Sequence, residues 1–276
     1  MKKIIALALA LLLALSLIGC SINGTADGDE NEDAFELSSA LVYGDFEYAV
    51  NENGDFDIVG YTYSGAEPVS IEIPADIDGR PVTGIGDDAF KAVATISAVT
   101  LPASIEYIGN FAFYDCTALT SITIPNSVTT IGIGAFRGCT ALTSITLSES
   151  LKSIGDHAFW DCKSLTSVKL PEALNTIGEG AFWNCVSLTE ITIPASVKSI
   201  GRGAFIYCDS LTKATFALAD LEIGEGAFIG CNEGLELVCT SDFTVKDENA
   251  DKDEKYGLVE FAEEAELKLT YVPVAA

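Results

Sequence analysis

The amino-acid sequence predicts a β-rich repeat solenoid, built from short parallel strands with tight corners and closed by β caps at both ends. The first observation is a period of 23 residues, at which the pair Ala-Phe recurs seven times without a gap. The second is the pair Ile-Gly, which precedes every Ala-Phe pair by the same interval. A fixed period of about 20 to 30 residues indicates coils that bury their apolar faces only by stacking on one another. The phenylalanines that mark the period are Phe90, Phe113, Phe136, Phe159, Phe182, Phe205 and Phe228.

Each coil is expected to contribute one short parallel strand. Leu119, Ile122 and Ile124 follow the spacing LxxLxL, whose last part alternates between the two faces of a strand. Pro125 then ends the strand, because proline cannot donate a ladder hydrogen bond.

The rest of the coil is expected to form a tight corner. Phe136, Cys139 and Leu142 lie at positions i, i+3 and i+6, which is typical of a 3₁₀ or helical turn. The glycine after each repeat isoleucine, such as Gly132, is expected to permit the sharp turn between the two sides of the coil.

The N-terminal cap is predicted over residues 41–68, before repeats that fill 69–238. Residues 46–50 and 56–61 are strand-like and flank Asn53-Gly54, which is a type I′ turn signal. We therefore expect a β-hairpin that covers the open apolar end of the first coil.

The C-terminal cap is predicted over residues 239–276. Strand-like alternation occurs at 258–261 and at 267–272, and residues 247–255 form a charged loop. Oxygen side chains alternate in this loop as in a calcium site. However, Lys252 replaces the glycine that an EF-hand requires, which favours a solvated acidic loop.

The first 19 residues have the pattern of an export signal. Lys2 and Lys3 precede an apolar run over 4–18, which is shorter than the ~20 residues of a membrane-spanning helix. The run ends in Gly19-Cys20, and this ending resembles the lipobox of bacterial lipoproteins, which implies cleavage before Cys20 and its lipidation. The alternative is an ordinary secretory signal with a chance cysteine. The acidic residues that follow, within 20–40, predict a solvated linker.

Composition excludes several classes of function. The chain has 15 Lys and Arg against 41 Asp and Glu, a net charge of −26, so it lacks the basic surface that nucleic-acid binding requires. Its single histidine, His157, leaves little room for a histidine-ligated metal or a Ser-His-Asp site. We expect no cofactor, no metal and no enzymatic activity.

The repeat resembles the BspA-type leucine-rich repeat, which is also found in treponemal surface proteins. The resemblance is carried by IPxxVxxIGxxAFxxCxxLxx, as in Ile193 to Leu211, and covers about Val69 to Leu237. It implies a bacterial surface or secreted protein, and some members of the family act as adhesins. The sequence departs from the pattern at Ser148, which replaces a proline, and at Asp220, which predicts a distorted last coil.

Cysteines recur at one position of six coils, which suggests either stacked disulfides or a buried packing row. Val93 occupies the same position in the first coil. Because the position accepts a small apolar side chain, we favour packing over disulfides, and metal or redox roles are disfavoured. Cys239 lies outside the row, and its pairing with Cys231 stays open. The row, called the cysteine ladder below, consists of Cys116, Cys139, Cys162, Cys185, Cys208 and Cys231.

The first candidate binding site follows the repeat phenylalanines. The next position holds Lys91 and Arg137 in two coils, which predicts that it is exposed, and it holds large apolar side chains in others. Stacking would align these into a contiguous surface of the kind that marks protein contacts. The alternative is lateral packing along the coil edge. This surface, called the aromatic stripe below, comprises Tyr114, Trp160, Trp183, Ile206 and Ile229 at this position, with Tyr207 beside them.

The second candidate site is the outer face of the strands, where leucine-rich repeat proteins often bind partners. Its hydroxyl-rich composition is equally typical of a solvated β surface. This serine–threonine face comprises Ser121, Thr123, Thr146, Lys169, Thr192 and Thr215.

His157 falls at a position that also holds Asp88, Phe111 and Gly134, which predicts a tolerant surface position. The sequence as a whole favours a lipid-anchored surface protein whose solenoid binds an extracellular or surface protein, from a host matrix or from bacteria, or a glycan. Contact with a membrane is expected only through Cys20. The alternative from another class is a structural spacer of the envelope without a dedicated ligand.

Overall fold

A computed structural model describes residues 41–217, 221–239 and 268–271 of the chain, which all belong to one structural unit, Ala40–Ala276. Within these ranges no helix is long and apolar enough to cross a membrane. The strands are β1 (Leu41–Tyr43), β2 (Phe46–Val50), β3 (Phe56–Tyr61), β4 (Val69–Glu72), β5 (Asp76–Ile77), β6 (Arg80–Ile85), β7 (Ile96–Thr100), β8 (Tyr107–Ile108), β9 (Ser121–Thr123), β10 (Thr130–Ile131), β11 (Ser144–Thr146), β12 (Ser153–Ile154), β13 (Ser167–Val168), β14 (Thr176–Ile177), β15 (Glu190–Ile193), β16 (Ser199–Ile200), β17 (Lys213–Phe216), β18 (Glu222–Ile223), β19 (Glu236–Cys239) and β20 (Lys268–Tyr271).

The coils form a leucine-rich repeat solenoid, which confirms the predicted fold. Strands of successive coils pair in parallel at a register of one repeat, so that Ser144 lies opposite both Ser121 and Ser167. The predicted LxxLxL strands form a five-stranded sheet of order β13-β11-β9-β7-β4 and, together with the cap strand β20, a four-stranded sheet of order β15-β17-β19-β20.

Each regular coil also contains a second strand that the sequence did not predict. It is only two residues long and ends at the isoleucine before the repeat glycine, as in Thr130–Ile131. These strands continue the sheet of the N-terminal cap in the order β1-β2-β3-β6-β8-β10-β12-β14-β16-β18, with β5 paired to β6. A two-residue strand is too short for its alternation to be recognised in the sequence.

The predicted N-terminal hairpin is present, but its turn differs from the prediction. β2 and β3 pair antiparallel, and the backbone N–H of Gly54 donates to the carbonyl of Asn51. Among the turn residues only Gly54 has a positive φ, of 84°, whereas a type I′ turn needs two. The turn is therefore a three-residue loop with glycine in the left-handed position, stabilised by the Asn51 side chain, which accepts from the backbone N–H groups of Asn53 and Asp55.

At the other end, β20 lies within the strand predicted over 267–272 and pairs in parallel with β19. The strand predicted at 258–261, the acidic loop at 247–255 and Asp220 lie outside the described residues. Ser148 replaces a proline without disturbing its coil, because its buried hydroxyl accepts from the N–H of Ser150.

The core is a set of stacked rows, one side chain from each coil. The seven repeat phenylalanines form a continuous row with ring centroids 5.0–5.5 Å apart and planes within 13° of parallel. All seven rings are buried, and rows of isoleucine, leucine and alanine pack around them. Every coil therefore depends on both neighbours for burial of its apolar face.

Each corner is a series of tight turns, each closed by a backbone bond from the N–H of residue i to the carbonyl of residue i−3. Within a coil, the N–H of Arg137 donates to Gly134 and the N–H of Cys139 to Phe136, which is the predicted i→i−3 pattern. The N–H groups of the residues that alternate with them, Phe136 and Gly138, donate instead to the carbonyls of Ala158 and Trp160 in the next coil. The corner backbone thus alternates between bonds inside one coil and bonds to the next.

Two left-handed residues, four positions apart, make this alternation possible. The first position includes His157 and was predicted to be an ordinary, tolerant surface position. Its backbone is instead restricted, because every residue there has φ between 54° and 65°. Asn, Asp and Gly tolerate this region best. The first position holds Asp88, Phe111, Gly134, His157, Gly180, Gly203 and Gly226, and the second holds Ala92, Asp115, Gly138, Asp161, Asn184, Tyr207 and Gly230.

The glycine after each repeat isoleucine does not have the role that the sequence suggested. None of these glycines is among the residues with a positive φ. A Cβ at Gly155 would instead lie 2.6 Å from the backbone carbon of Gly132 in the preceding coil. Glycine is required there because the backbones of adjacent coils approach too closely for any side chain.

Candidate functional site

The aromatic stripe lies at the corner of the coils, directly after the buried phenylalanines. The N–H of Trp160 donates to the carbonyl of left-handed His157, and the N–H of Trp183 donates to Gly180 in the same way. The carbonyl of Trp183 accepts from the N–H of Asp161 in the preceding coil. These bonds hold the two tryptophans one above the other, as the repeat register predicts.

The tryptophans form the centre of a continuous stack. The Trp160 and Trp183 rings are 4.6 Å apart and within 6° of parallel. The Arg137 guanidinium lies 3.9 Å from the centre of the Trp160 ring on the other side, and 5.7 Å from the Tyr114 ring. Arginine thus joins Tyr114 to the tryptophans through cation–π contacts.

Stacking leaves the tryptophans half-buried rather than fully exposed. Both faces of Trp160 are covered, by Arg137 and by Trp183, so this ring presents its edge to solvent. Tyr207 and Ile229 are the most exposed members of the stripe, at 49% and 58%. The two tryptophans therefore pack laterally along the coil edge, and the exposed apolar area of the stripe is formed mainly by Tyr207 and Ile229.

His157 belongs to the surroundings of the stripe. Its imidazole lies 5.0 Å from the Trp160 ring and above Gly180 of the next coil, where a Cβ would meet Nδ1 at 2.5 Å. Nδ1 is buried and makes no hydrogen bond within the described part of the chain. No group of three or more His, Cys, Asp or Glu side chains that could hold a metal ion occurs among the described residues.

The serine–threonine face is the outer surface of the LxxLxL strands, as predicted. Ser121, Thr123, Thr146, Lys169 and Thr192 are exposed, and Thr215 is half-buried. Thr123 and Thr146 are direct neighbours, as are Thr192 and Thr215, but β13 and β15 belong to different sheets. The face is therefore divided at Lys169, whose ammonium pairs with Glu149 at 3.1 Å.

Next to this face runs a row of threonines that the sequence analysis did not single out. Each hydroxyl donates to the carbonyl of the residue one repeat earlier, at 3.1–3.4 Å. The row thus stabilises coil stacking, and its signal in the sequence was the threonine that precedes the strand in five successive coils. It consists of Thr120, Thr143, Thr166, Thr189 and Thr212.

The cysteine ladder is a packing row of free thiols, five of them buried and Cys231 half-buried. Each thiol donates to the carbonyl of the phenylalanine in the preceding coil, as Cys139 does to Phe113 at 3.1 Å. Burial raises the pKa of the Cys116 thiol to about 12 and that of Cys162 well above its usual range. These thiols are held protonated, which disfavours nucleophilic or redox chemistry.

A buried polar cluster joins the N-terminal cap to the first two coils. Asp57 is almost fully buried, and its carboxylate accepts from the Tyr107 hydroxyl and, at 2.9 Å, from the Asn51 amide. The same amide donates to Thr83 at 3.0 Å. Burial, followed by the bond to Asp57, raises the pKa of Tyr107. The four residues come from different elements, so no local motif could have revealed the cluster.

Three solved structures of bacterial leucine-rich repeat proteins are similar to this chain. A T. pallidum leucine-rich repeat protein is 26% identical over 86% of this chain and all of its own length, with a TM-score of 0.48. A leucine-rich cell surface protein of Faecalibacterium prausnitzii is 31% identical over 66% of this chain and 55% of its own length, with a TM-score of 0.49. A leucine-rich repeat protein of Eubacterium ventriosum shows the same fold, with 22% identity over 76% of this chain and 54% of its own, and a TM-score of 0.57.

This chain thus spans a little over half the length of the last two proteins. No curated protein matches it. The family model for the BspA type leucine rich repeat region, with six copies, matches residues 57–162, 83–212 and 129–250, which is most of the chain. Proteins with these repeats are typically bacterial surface proteins without catalytic activity, and the family is consistent with a binding or scaffold role. The chain belongs to the BspA-type leucine-rich repeat family.

Proposed function

We propose that this chain is a lipid-anchored bacterial surface protein whose solenoid binds another protein through the aromatic stripe, in an adhesion-type role without catalysis. Family membership supports a surface protein with a binding or scaffold role. The N-terminal signal pattern ending at Cys20 supports export and lipidation. The partner is an extracellular or surface protein of a host matrix or of bacteria.

The observation that carries this proposal is the continuous stripe of apolar and aromatic side chains across four coils, from Trp160 to Ile229. Tryptophan and tyrosine are the residues most often responsible for binding energy at protein interfaces. Stacking on rigid coils fixes their positions before binding, so little conformational entropy is lost when a partner docks.

The stacking geometry also favours a protein over a glycan as the partner. A sugar ring packs against the open face of an aromatic ring, but both faces of Trp160 are covered within the stack. Exposed ring edges and the Ile229 side chain suit the irregular apolar surface of a protein.

The test is binding of the full chain, purified in a non-ionic detergent, to a panel of matrix proteins, mucins, glycans and bacterial surface proteins. The variant Trp160→Ala/Trp183→Ala removes the centre of the stripe. Thr123→Ala/Thr146→Ala is the matched control on the serine–threonine face. We expect saturable protein binding that the tryptophan variant loses by about tenfold or more and the threonine variant retains.

A second tryptophan variant guards against a folding defect. Lys91 occupies the stripe position of the first coil, so Trp160→Lys/Trp183→Lys introduces a residue that the repeat accepts. Loss of binding in both folded variants would support the proposal. If binding depends on Thr123 and Thr146 instead, the binding site is the serine–threonine face. If the chain binds nothing on the panel, the spacer alternative is favoured.

A further inference from the structure

Charged side chains surround the aromatic stripe, and most of them are acidic. Asp156, Glu179 and Glu225 are exposed and occupy one position in three of the four coils that carry the stripe. Their register is fixed by the N–H of Glu179, which donates to the Asp156 carboxylate at 2.8 Å. Each lies four residues before the stripe residue of its own coil.

Acidic side chains also follow the stripe along the chain. Asp161 comes directly after Trp160, and exposed Asp209 lies two residues after Tyr207. Three cations at this corner are already engaged: the Arg137 guanidinium stacks on the Trp160 ring, the Lys163 ammonium lies 3.7 Å from the Asp161 carboxylate, and the Arg202 guanidinium lies 3.8 Å from the Glu225 carboxylate. Acidic residues thus precede and follow the stripe residues along a chain whose net charge is −26.

We propose that the partner segment bound by the aromatic stripe is a basic amphipathic helix. Its apolar side chains would pack on Trp183, Ile206 and Ile229, and its lysines and arginines would reach the carboxylates on both sides. This inference rests on the proposed function and specifies the chemistry of the partner. Such charge complementarity accelerates association and rejects acidic segments.

The spacing of the coils favours a helix that lies along the stack. Successive stripe residues are separated by one coil, and the rings of Trp160 and Trp183 are 4.6 Å apart. An α-helix advances about 5.4 Å per turn, so it can offer one apolar side chain to nearly every coil. An extended strand places same-face side chains about 6.6–6.8 Å apart, so its spacing differs more from the spacing of the coils than that of a helix does.

The probe is a fluorescent helical peptide of about 18 residues, five turns, with leucine on one face and lysine on the flanks. One control peptide has glutamate in place of lysine, and a second has the same composition in scrambled order. Fluorescence anisotropy is measured against the full chain in non-ionic detergent, with the signal from detergent alone subtracted. We expect the lysine peptide to bind at least about tenfold more tightly than either control, and about tenfold more weakly when NaCl is raised from about 0.05 M to about 0.5 M.

Matched variants separate the stripe from the general acidity of the chain. Glu179→Gln/Glu225→Gln should weaken binding of the lysine peptide about three- to tenfold, whereas Glu106→Gln/Glu172→Gln removes the same charge elsewhere and should change it less than about twofold. Arg202→Gln removes a cation beside the stripe and should strengthen binding.

The inference is overturned if the glutamate or scrambled peptide binds as tightly, or if the Glu106/Glu172 variant weakens binding as much as the Glu179/Glu225 variant. In those cases the proposed function would still be supported if binding of a protein from the panel is lost when Trp160 and Trp183 are replaced. If no panel protein depends on the tryptophans, the proposed function itself fails.

Discussion

At the scale of single residues, the repeat glycines show how closely the coils approach. The hypothetical Cβ of Gly155 meets backbone carbon and oxygen of Gly132 at 2.6 and 2.7 Å, and backbone atoms cannot move aside as a flexible side chain can. Glycine at this position is a requirement of stacking and not of the turn.

We therefore expect Gly155→Ala to lower the free energy of unfolding by about 1–3 kcal/mol, as overpacking does, or to prevent folding. Gly44→Asn is the control, because Gly44 has a positive φ of 62° and no atom within 4 Å of its hypothetical Cβ, so asparagine should be accepted there. Urea denaturation measures both. Equal stability of Gly155→Ala and wild type would show that close approach does not select this glycine.

The cysteine ladder predicts that stability depends on alkaline pH. Burial raises the pKa of Cys116 from the usual 9.0 to about 12, so above pH 9 the unfolded chain releases thiol protons that the folded chain retains. The free energy of unfolding should therefore fall as the pH rises from about 9 toward 12.

The test is urea denaturation of wild type and Cys116→Val at pH 7 and pH 10. Val93 shows that the repeat accepts valine, and the N–H of Val93 still satisfies the Phe90 carbonyl to which the thiol donated. The variant should be less sensitive to alkaline pH than wild type. An unchanged pH dependence would mean that Cys116 does not contribute to it.

At the scale of elements, the N-terminal cap is attached to the coils through strand β3 and through the buried carboxylate of Asp57. β3 pairs with β6, and Asp57 on β3 binds Tyr107 on β8, across the first coil. Hydrogen bonds to a charged group contribute about 1.5–3 kcal/mol, more than neutral ones.

Tyr107→Phe should therefore lower the free energy of unfolding by about 1.5–3 kcal/mol and loosen the cap. A double-mutant cycle with Asp57→Asn should show coupling of about 0.5–3 kcal/mol between the two residues. Tyr114→Phe, on the aromatic stripe, is the matched control. Additive effects of Tyr107→Phe and Asp57→Asn would contradict the proposed clamp, and hydrogen exchange of residues 41–61 would report whether the cap opens first.

At the scale of the whole molecule, the location that we propose follows from the pattern of the N-terminal segment. The signal pattern predicts that Cys20 carries the lipid. Several acyl chains, at about 0.8 kcal/mol per buried CH₂ group, would hold the protein on a membrane firmly.

Metabolic labelling with an alkyne fatty acid should therefore mark wild type in the membrane fraction and leave Cys20→Ala unlabelled. Cys239→Ala, which removes a cysteine outside the signal, is the matched control and should remain labelled. Labelled Cys20→Ala, or unlabelled wild type in the soluble fraction, would favour the ordinary secretory signal.

Much of the fold followed from the sequence alone, because each coil repeats the same physical problem. The 23-residue period, the LxxLxL strands, the buried phenylalanines and the hairpin are all repeated or local patterns. The alignment of Trp160 with Trp183 follows from the same register, so the candidate stripe could be named before the structure was known. The BspA-type repeat motif could also be recognised in the sequence, and the family model confirms it.

Tertiary structure decided what no single coil can show. The close approach at Gly155, the thiol bonds to the preceding coil and the bond between Tyr107 and Asp57 all join residues that lie 23 or more positions apart. The exposure of the stripe was decided in the same way, since Arg137 and Trp183 cover the Trp160 ring and leave its edge outside. The physical reason is that stacking determines which atoms meet between coils, whereas the sequence of one coil determines only which atoms are available.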